Sequence, residues 1–182
     1  FLPVGFTEME IDFCRRDLLN VLVRDHWEMI GVSLKMLLER KKFKPSLQEP
    51  EVDLLVRKAE PQDYEELQRI IGHYTGNCLF QSPFLEKEAL IRLFQDWILY
   101  SVKKLSSQLV VMEHLGTIVG FANCMEAPGF SRKVGKKVGI IDFIMMDPAV
   151  RSKGFASHIL EEILKSLFIE MDLIELKTSL DN

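Results

Sequence analysis

Residues 146–156 read M-D-P-A-V-R-S-K-G-F-A, and the fold turns on this stretch. Upstream, residues 139–146 are apolar apart from Asp142, as in a strand buried within a sheet. Asp147-Pro148 ends that strand, because proline has no N–H to give a ladder. Arg151, Ser152, Lys153 and Gly154 then form a short cationic stretch. After it, Phe155, Ile159, Leu160, Ile163, Leu164, Leu167 and Phe168 fall on one broad helical face. The sequence therefore predicts a strand, a small-residue loop and a helix N-terminus. Such a junction favours an anion: the first-turn N–H groups lack intrahelical partners, the helix dipole adds positive charge, and glycine permits close approach.

Working outward, residues 52–59 read as a short strand, and Pro61 opens a helix whose first turn is loaded with polar and acidic residues. Tyr64, Leu67, Ile70, Ile71 and Tyr74 mark its buried stripe, and Gly72 and Gly76 end it. A second helix runs from Ser82-Pro83 to about Ser101. Residues 109–113 and 117–123 are two strands joined by a tight hairpin at His114-Leu115-Gly116. Residues 129–137 read as a loop, 138–146 as the central strand, and 173–179 as a last strand. The order from residue 52 is β-α-α-β-β-β-α-β, and the final strand–helix–strand unit suits a parallel crossover. This predicts an α/β (α+β) chain with a mixed, mostly antiparallel sheet and helices on both faces.

Composition bounds the function. The chain has 182 residues, 47% hydrophobic and 27% charged, with a net charge of −4. That is enough for one well-buried core and gives no general reason to expect nucleic acid as a partner. The basic cluster Arg132, Lys133, Lys136 and Lys137 reads as a solvated loop. Cys14, Cys78 and Cys124 are odd in number and lack a C-x-x-C pair, which suits a reducing compartment and argues against a zinc site or disulfide scaffold. No apolar run approaches the roughly 18 residues of a membrane span. The expectation is a cytoplasmic protein with no metal and no membrane partner.

The first fifty residues are less decided. Phe6, Met9, Ile11 and Phe13 alternate with acidic residues in a strand-like pattern, while residues 15–26 show no clear period. Residues 27–38 fit a helix through Ile30, Leu34, Leu37 and Leu38, and a strand through Ile30, Val32, Leu34 and Met36. Residues 41–50 are polar, contain Pro45 and Pro50, and read as a connector.

The element order and the stretch Arg151-Ser-Lys-Gly-Phe-Ala156 resemble the GNAT superfamily of acetyl-CoA-dependent N-acetyltransferases. The family's (Gln/Arg)-x-x-Gly-x-(Gly/Ala) signature is met at Arg151, Gly154 and Ala156. The competing phosphate motif, G-x-x-x-x-G-K-[ST], is absent. The resemblance covers residues 52–182. Residues 1–44 resemble the end of such a domain, with Phe1-Leu-Pro-Val-Gly-Phe6 in place of the family's Tyr-x-x-x-Gly-Phe and residues 28–36 as a strand. Residues 45–51 would be a linker. The domain is then either permuted or a fragment spanning two domains.

The resemblance implies roles. Backbone groups of Ile144, Met145 and Met146 would hold the pantetheine arm. Arg151, Ser152, Lys153, Gly154, Phe155 and Ala156 would cradle the diphosphate through their N–H groups, and Asn182 would lie near the cofactor. Asp142 takes the place of a strand acid that many members carry, so it is the candidate base, set against the plainer reading of a charge on a sheet face. Glu113, His114 and His158 read as bystanders. The tyrosine that often protonates the departing thiolate has no hydroxyl counterpart at Phe1, which leaves water or a hydroxyl such as Tyr64 or Tyr74. The implied activity is acetylation of a primary amine of a small molecule or peptide, with homodimer formation allowed. A non-catalytic acetyl-CoA-binding module is the alternative.

Overall fold

The computed structural model describes residues 16–26, 33–45, 53–74, 80, 85–103 and 108–179. The expectations for Phe1, residues 6–13, Cys14, Cys78, Ser82-Pro83 and Asn182 lie outside these.

The described chain runs α1 (Arg16–Arg24), β1 (Ser33–Glu39), β2 (Leu54–Lys58), α2 (Tyr64–Ile71), α3 (Lys87–Lys103), β3 (Gln108–His114), β4 (Thr117–Glu126), α4 (Pro128–Val134), β5 (Val138–Met146), α5 (Phe155–Leu167) and β6 (Leu173–Ser179). The strands form one six-stranded sheet in the order β1-β6-β5-β4-β3-β2. Among the described residues only β5 and β6 are parallel; every other pair is antiparallel.

The sheet is covered on both faces, as the alternation of side chains along its strands requires. On one face α5 buries Phe155, Ile159, Ile163 and Leu167 against Val119, Ala122, Ile141 and Ile174. On the other, α2 contributes Leu67, Ile70 and Ile71, and α3 contributes Ile98, packed against Leu109, Val111, Phe121 and Met145. Val111 and Met112 are adjacent in β3 and belong to opposite cores. The β3–β4 hairpin turns through Leu115 at φ 52° and Gly116 at φ 76°, the double positive φ of a two-residue hairpin turn.

Three expectations change. Residues 33–39 form a strand, antiparallel to β6 along its whole length, so the helical alternative for 27–38 is not the one adopted there. The helical spacing of Leu34, Leu37 and Leu38 was coincidental to a strand whose side chains alternate. Residues 16–24, without clear periodicity, form α1. The loop expected at 129–137 contains a short helix, α4, with Pro128 at its start and Gly135 at its C-cap with φ 65°. Proline inside the start and left-handed glycine past the end are ordinary helix punctuation. The helix is only two turns long, so its periodicity gave no signal. Among the described residues no helix is long and apolar enough to cross a membrane.

Candidate active site

The site begins where β5 leaves β6. The parallel pairing runs from Val138↔Leu173 to Ile141↔Leu176 and stops there. Beyond it β5 continues to Met146 while β6 continues to Ser179, still paired with β1. Residues 142–146 therefore have a sheet partner on the β4 side only. Backbone polar groups seldom remain without partners. An opening between two diverging parallel strands offers such groups to an extended polar ligand. Ile144 is partly buried, and Met145 and Met146 are buried.

Gly120 lets β4 approach that segment. A Cβ there would stand 2.5 Å from the Met146 sulfur and 3.0 Å from the Met145 carbonyl oxygen. Any side chain would thus push on the strand that lines the opening.

The opening leads to the loop after β5. Asp147 ends the strand: its N–H donates to the Val119 carbonyl (2.8 Å), and its Oδ1 accepts from the Ala149 N–H (2.8 Å). Its Oδ2 accepts from Arg69 Nη1 on α2. Burial alone would raise the Asp147 pKa. The Ala149 amide and the Arg69 guanidinium outweigh it and hold the carboxyl below the ordinary range. The loop then passes through Ser152 at φ 64° and Gly154 at φ 79°, and α5 starts at Phe155. The Gly154 carbonyl accepts from the N–H of Ser157 (3.1 Å) and of His158 (3.3 Å). The N–H groups of 152–156 have no acceptor among the described residues. Arg151, Ser152, Lys153, Gly154 and Ala156 are exposed, and Phe155 is buried as the anchor. Consecutive free amides turned by left-handed residues at a helix start make an anion-binding concavity.

Asp142 sits where the opening begins. The β4–β5 register shifts between Asn123 and Cys124: Asn123 faces Phe143 and Cys124 faces Ile141. Asp142 is the extra residue of a bulge, a device that re-aims a side chain and bends its strand. Desolvation pushes its carboxyl above the ordinary range, and the neighbouring Asn123 side chain opposes that push. The residue keeps solvent access, so that upward push is screened. Cys124, 1% exposed, is pushed up to about 12, first by burial and then by Asp142. It remains a thiol at neutral pH and is no nucleophile.

Of the hydroxyls considered as proton donors, Tyr74 is brought close. Its ring meets Phe143, the neighbour of Asp142, edge-on at 4.7 Å. Tyr64 is held elsewhere, its hydroxyl accepting from Gln68 Nε2 (2.6 Å). Glu113 belongs to an ion-pair group with Arg57 and Asp63. His114 Nδ1 lies 3.1 Å from the Asp53 carbonyl oxygen, and its ring packs against Phe155. Among the described residues no group of three or more His, Cys, Asp or Glu could hold a metal ion.

Sequence reasoning missed Asn123 and Arg69. Asn123 is 1% exposed, and its Oδ1 is buried without a hydrogen-bond partner among the described residues. A polar residue directly after the apolar run 118–122 was the one available signal.

Comparison with known proteins bears on the family and the fold. The family described as "Acetyltransferase (GNAT) family" matches residues 64–182, well over half of the chain. The spore coat polysaccharide biosynthesis protein SpsD of Bacillus subtilis (strain 168) is 25% identical over 107 residues, covering 58% of this chain and 34% of that protein. The chain thus spans about a third of that relative's length. A functionally unknown conserved protein from Staphylococcus epidermidis ATCC 12228 superposes with a TM-score of 0.61 at 13% identity, covering 96% of this chain and 60% of the other. A transcriptional regulator from Bacillus halodurans C-125 gives 0.52 at 18% identity, covering 71% and 84%. At these identities the structural likenesses establish a shared fold.

Proposed function

The chain belongs to the acetyltransferase (GNAT) family, and from that premise we propose that it transfers an acetyl group from acetyl-CoA to a primary amine of a small molecule or peptide. The observation that carries the reading is the parting of β5 from β6 beyond Ile141↔Leu176, next to the free amides of 152–156. In this reading the backbone of Ile144, Met145 and Met146, which β6 does not pair, holds the pantetheine arm. Arg151, Ser152, Lys153, Gly154, Phe155 and Ala156 hold the diphosphate, through their N–H groups and the cationic side chains of Arg151 and Lys153.

The thioester supplies an activated acetyl group and a thiolate leaving group. The protein handles the proton. An attacking amine must be neutral to attack and must shed a proton afterwards. Asp142, on the bulge at the mouth of the opening, is the acceptor, directly or through one water. Desolvation pushes its carboxyl upward, the direction that strengthens a carboxylate as a base. In the same reading a backbone N–H near Met146 steadies the oxyanion. Tyr74, beside Phe143, is the nearest candidate to return a proton to the thiolate. The acidic balance of the chain suits a cationic acceptor.

A thiol-release assay with acetyl-CoA and a panel of amines, polyamines, amino sugars and peptide N-termini tests this. Amino sugars join the panel because one relative is named for polysaccharide biosynthesis. Release that requires both acetyl-CoA and an amine, and falls about 10²–10⁴-fold in Asp142→Asn, is the expected result. Acetyl-CoA binding without release for any amine would instead favour a binding-only module.

A further inference from the structure

Two basic runs distant in sequence, Arg40-Lys41-Lys42-Phe43-Lys44 and Arg132-Lys133-Val134-Gly135-Lys136-Lys137, meet at one end of the sheet. β1 ends with Glu39 opposite Leu173, the first residue of β6, and Leu173 also pairs with Val138, the first residue of β5. Asp172 ties the two runs together there. Its carbonyl accepts from the Arg40 N–H (3.0 Å), and its carboxylate accepts from the Lys137 N–H (3.0 Å). Arg40 Nε also donates to the Met171 carbonyl (2.8 Å), and the Phe43 ring packs on Phe168 at 5.2 Å. The first run is thereby fixed beside the second.

The helix that opens the second run, α4, buries none of its residues. Phe130 and Val134 stand four positions apart on one face of it, 38% and 40% exposed. Ile169, in the turn between α5 and β6, is 77% exposed. Apolar side chains on a surface helix ordinarily lie against a core; these stand exposed among cations. Lys42, Lys44, Arg132, Lys133, Lys136 and Lys137 are exposed and make no ion pair among the described residues. This end of the sheet carries eight cations against the carboxylates of Glu39, Glu126, Glu170 and Asp172, in a chain whose net charge is −4. Positive charge gathered against the overall balance suits an anionic partner.

We propose that this end of the molecule docks on an anionic phospholipid surface: the lysines meet headgroup phosphates and carboxylates, and Phe130, Val134 and Ile169 enter the boundary beneath them. Six of the eight cations are lysines, point charges that suit an array of headgroups. Arg40 is committed to the Met171 carbonyl and to Asp172. That leaves Arg132 for the forked contacts that phosphopeptides and nucleic acids favour. Val134 and Ile169 offer no aromatic face on which a base could stack. Docking of this kind lies on the bilayer and involves no spanning helix; in this respect it departs from the expectation of no membrane partner. The nine residues of β5 separate this end from the loop 152–156 by about 26 Å. The inference is therefore independent of the acetyl-transfer reading, and docking leaves that loop open.

The test is cosedimentation of the full chain with vesicles of phosphatidylcholine alone and of phosphatidylcholine mixed equally with phosphatidylserine. Binding to the anionic vesicles only, weakening as salt rises, is the expected result. Lys133→Gln with Lys136→Gln should reduce that binding about tenfold or more. Lys87→Gln with Arg92→Gln, which removes the same charge from α3, should leave it near the wild-type level. Phe130→Ser should weaken it at every salt concentration. Melting temperatures check that each variant folds, and Lys42→Gln with Lys44→Gln on the other run repeats the test if the first pair does not. Saturating acetyl-CoA should leave vesicle binding unchanged. Absence of binding to the anionic vesicles at low salt would overturn the inference. So would equal losses in the α4 and α3 pairs, or unaltered binding in Phe130→Ser. Competition by acetyl-CoA would overturn it by assigning the contact to the loop 152–156. Displacement from the vesicles by an RNA or DNA oligonucleotide would overturn it in favour of a nucleic-acid surface.

Discussion

Arg69 of α2 donates to the carboxylate of Asp147, the residue that ends β5 and caps the turn into the anion-binding loop. Arg69 Nε also donates to Glu66 Oε2 (3.0 Å) within α2. A helix on one face of the sheet thereby holds the loop that feeds the helix on the other face. The Arg69 side chain is 42% exposed, so its contribution to stability is screened to under about 1 kcal/mol. Asp147 also satisfies the Ala149 amide, a capping bond that adds about 1 kcal/mol. Asp147→Ala should lower the melting temperature more than Arg69→Ala. Both should raise the acetyl-CoA KM more than they lower kcat, as steady-state kinetics on the two variants would show.

A second charged group ties β2 to β3 and to the start of α2. Arg57 donates through Nη1 and Nη2 to the two Asp63 oxygens (2.7 and 2.8 Å) and through Nε to Glu113 (2.8 Å). Asp63 is buried and also accepts from the Glu60 N–H. Removing one partner of such a group leaves the other charge uncompensated. Asp63→Ala is expected to destabilise the fold by about 2–3 kcal/mol, roughly 4–12 °C for a chain of this size.

The acid response follows from the same carboxylates. Arg57 holds Asp63 below its ordinary range, and Asp147 is held below it too. A carboxyl with a folded pKa below its unfolded value, about 3.9, stabilises the fold above that value. The contribution disappears as pH falls toward the folded value. Asp142 is shifted the opposite way, so its protonation slightly favours the fold. Stability should therefore hold near neutrality and decline below about pH 5. Denaturant melts at a series of pH values should show a shallower decline in Asp63→Asn.

Gly154 separates backbone strain from ligand access. Its φ is 79°, and a Cβ there would meet nothing within 4 Å. Gly135, at the other end of β5, has φ 65° and the same open space. Gly154→Ala and Gly135→Ala should each lose about 1–2 kcal/mol to the left-handed conformation. Only the Gly154 variant should raise the acetyl-CoA KM, about tenfold.

The parts legible in the sequence were those where several local signals agreed. Residues 139–156 combined an apolar run, Asp-Pro, glycine and a periodic helix, and the structure places β5, the loop and α5 there. The hairpin at Leu115-Gly116 was equally clear. Residues 27–38 were ambiguous because Leu34, Met36, Leu37 and Leu38 fit both periods. Pairing with β6, more than 130 residues away, decides residues 33–38, and no local pattern carries the information. Asp142 was visible as a charge in an apolar strand. Asn123 and Arg69 were not, because what marks them is a bulge, an orphaned carbonyl and a partner 78 positions distant.

In the proposed function the opening beyond Ile141 and the amides of 152–156 hold coenzyme A. Thermal denaturation of the wild-type protein over an acetyl-CoA titration tests it most directly. The melting temperature should climb with the logarithm of ligand concentration, corresponding to about 2.7 kcal/mol at one hundred times the Kd, with a smaller climb in Gly154→Ala. A wild-type melting temperature that does not move at millimolar acetyl-CoA would contradict it.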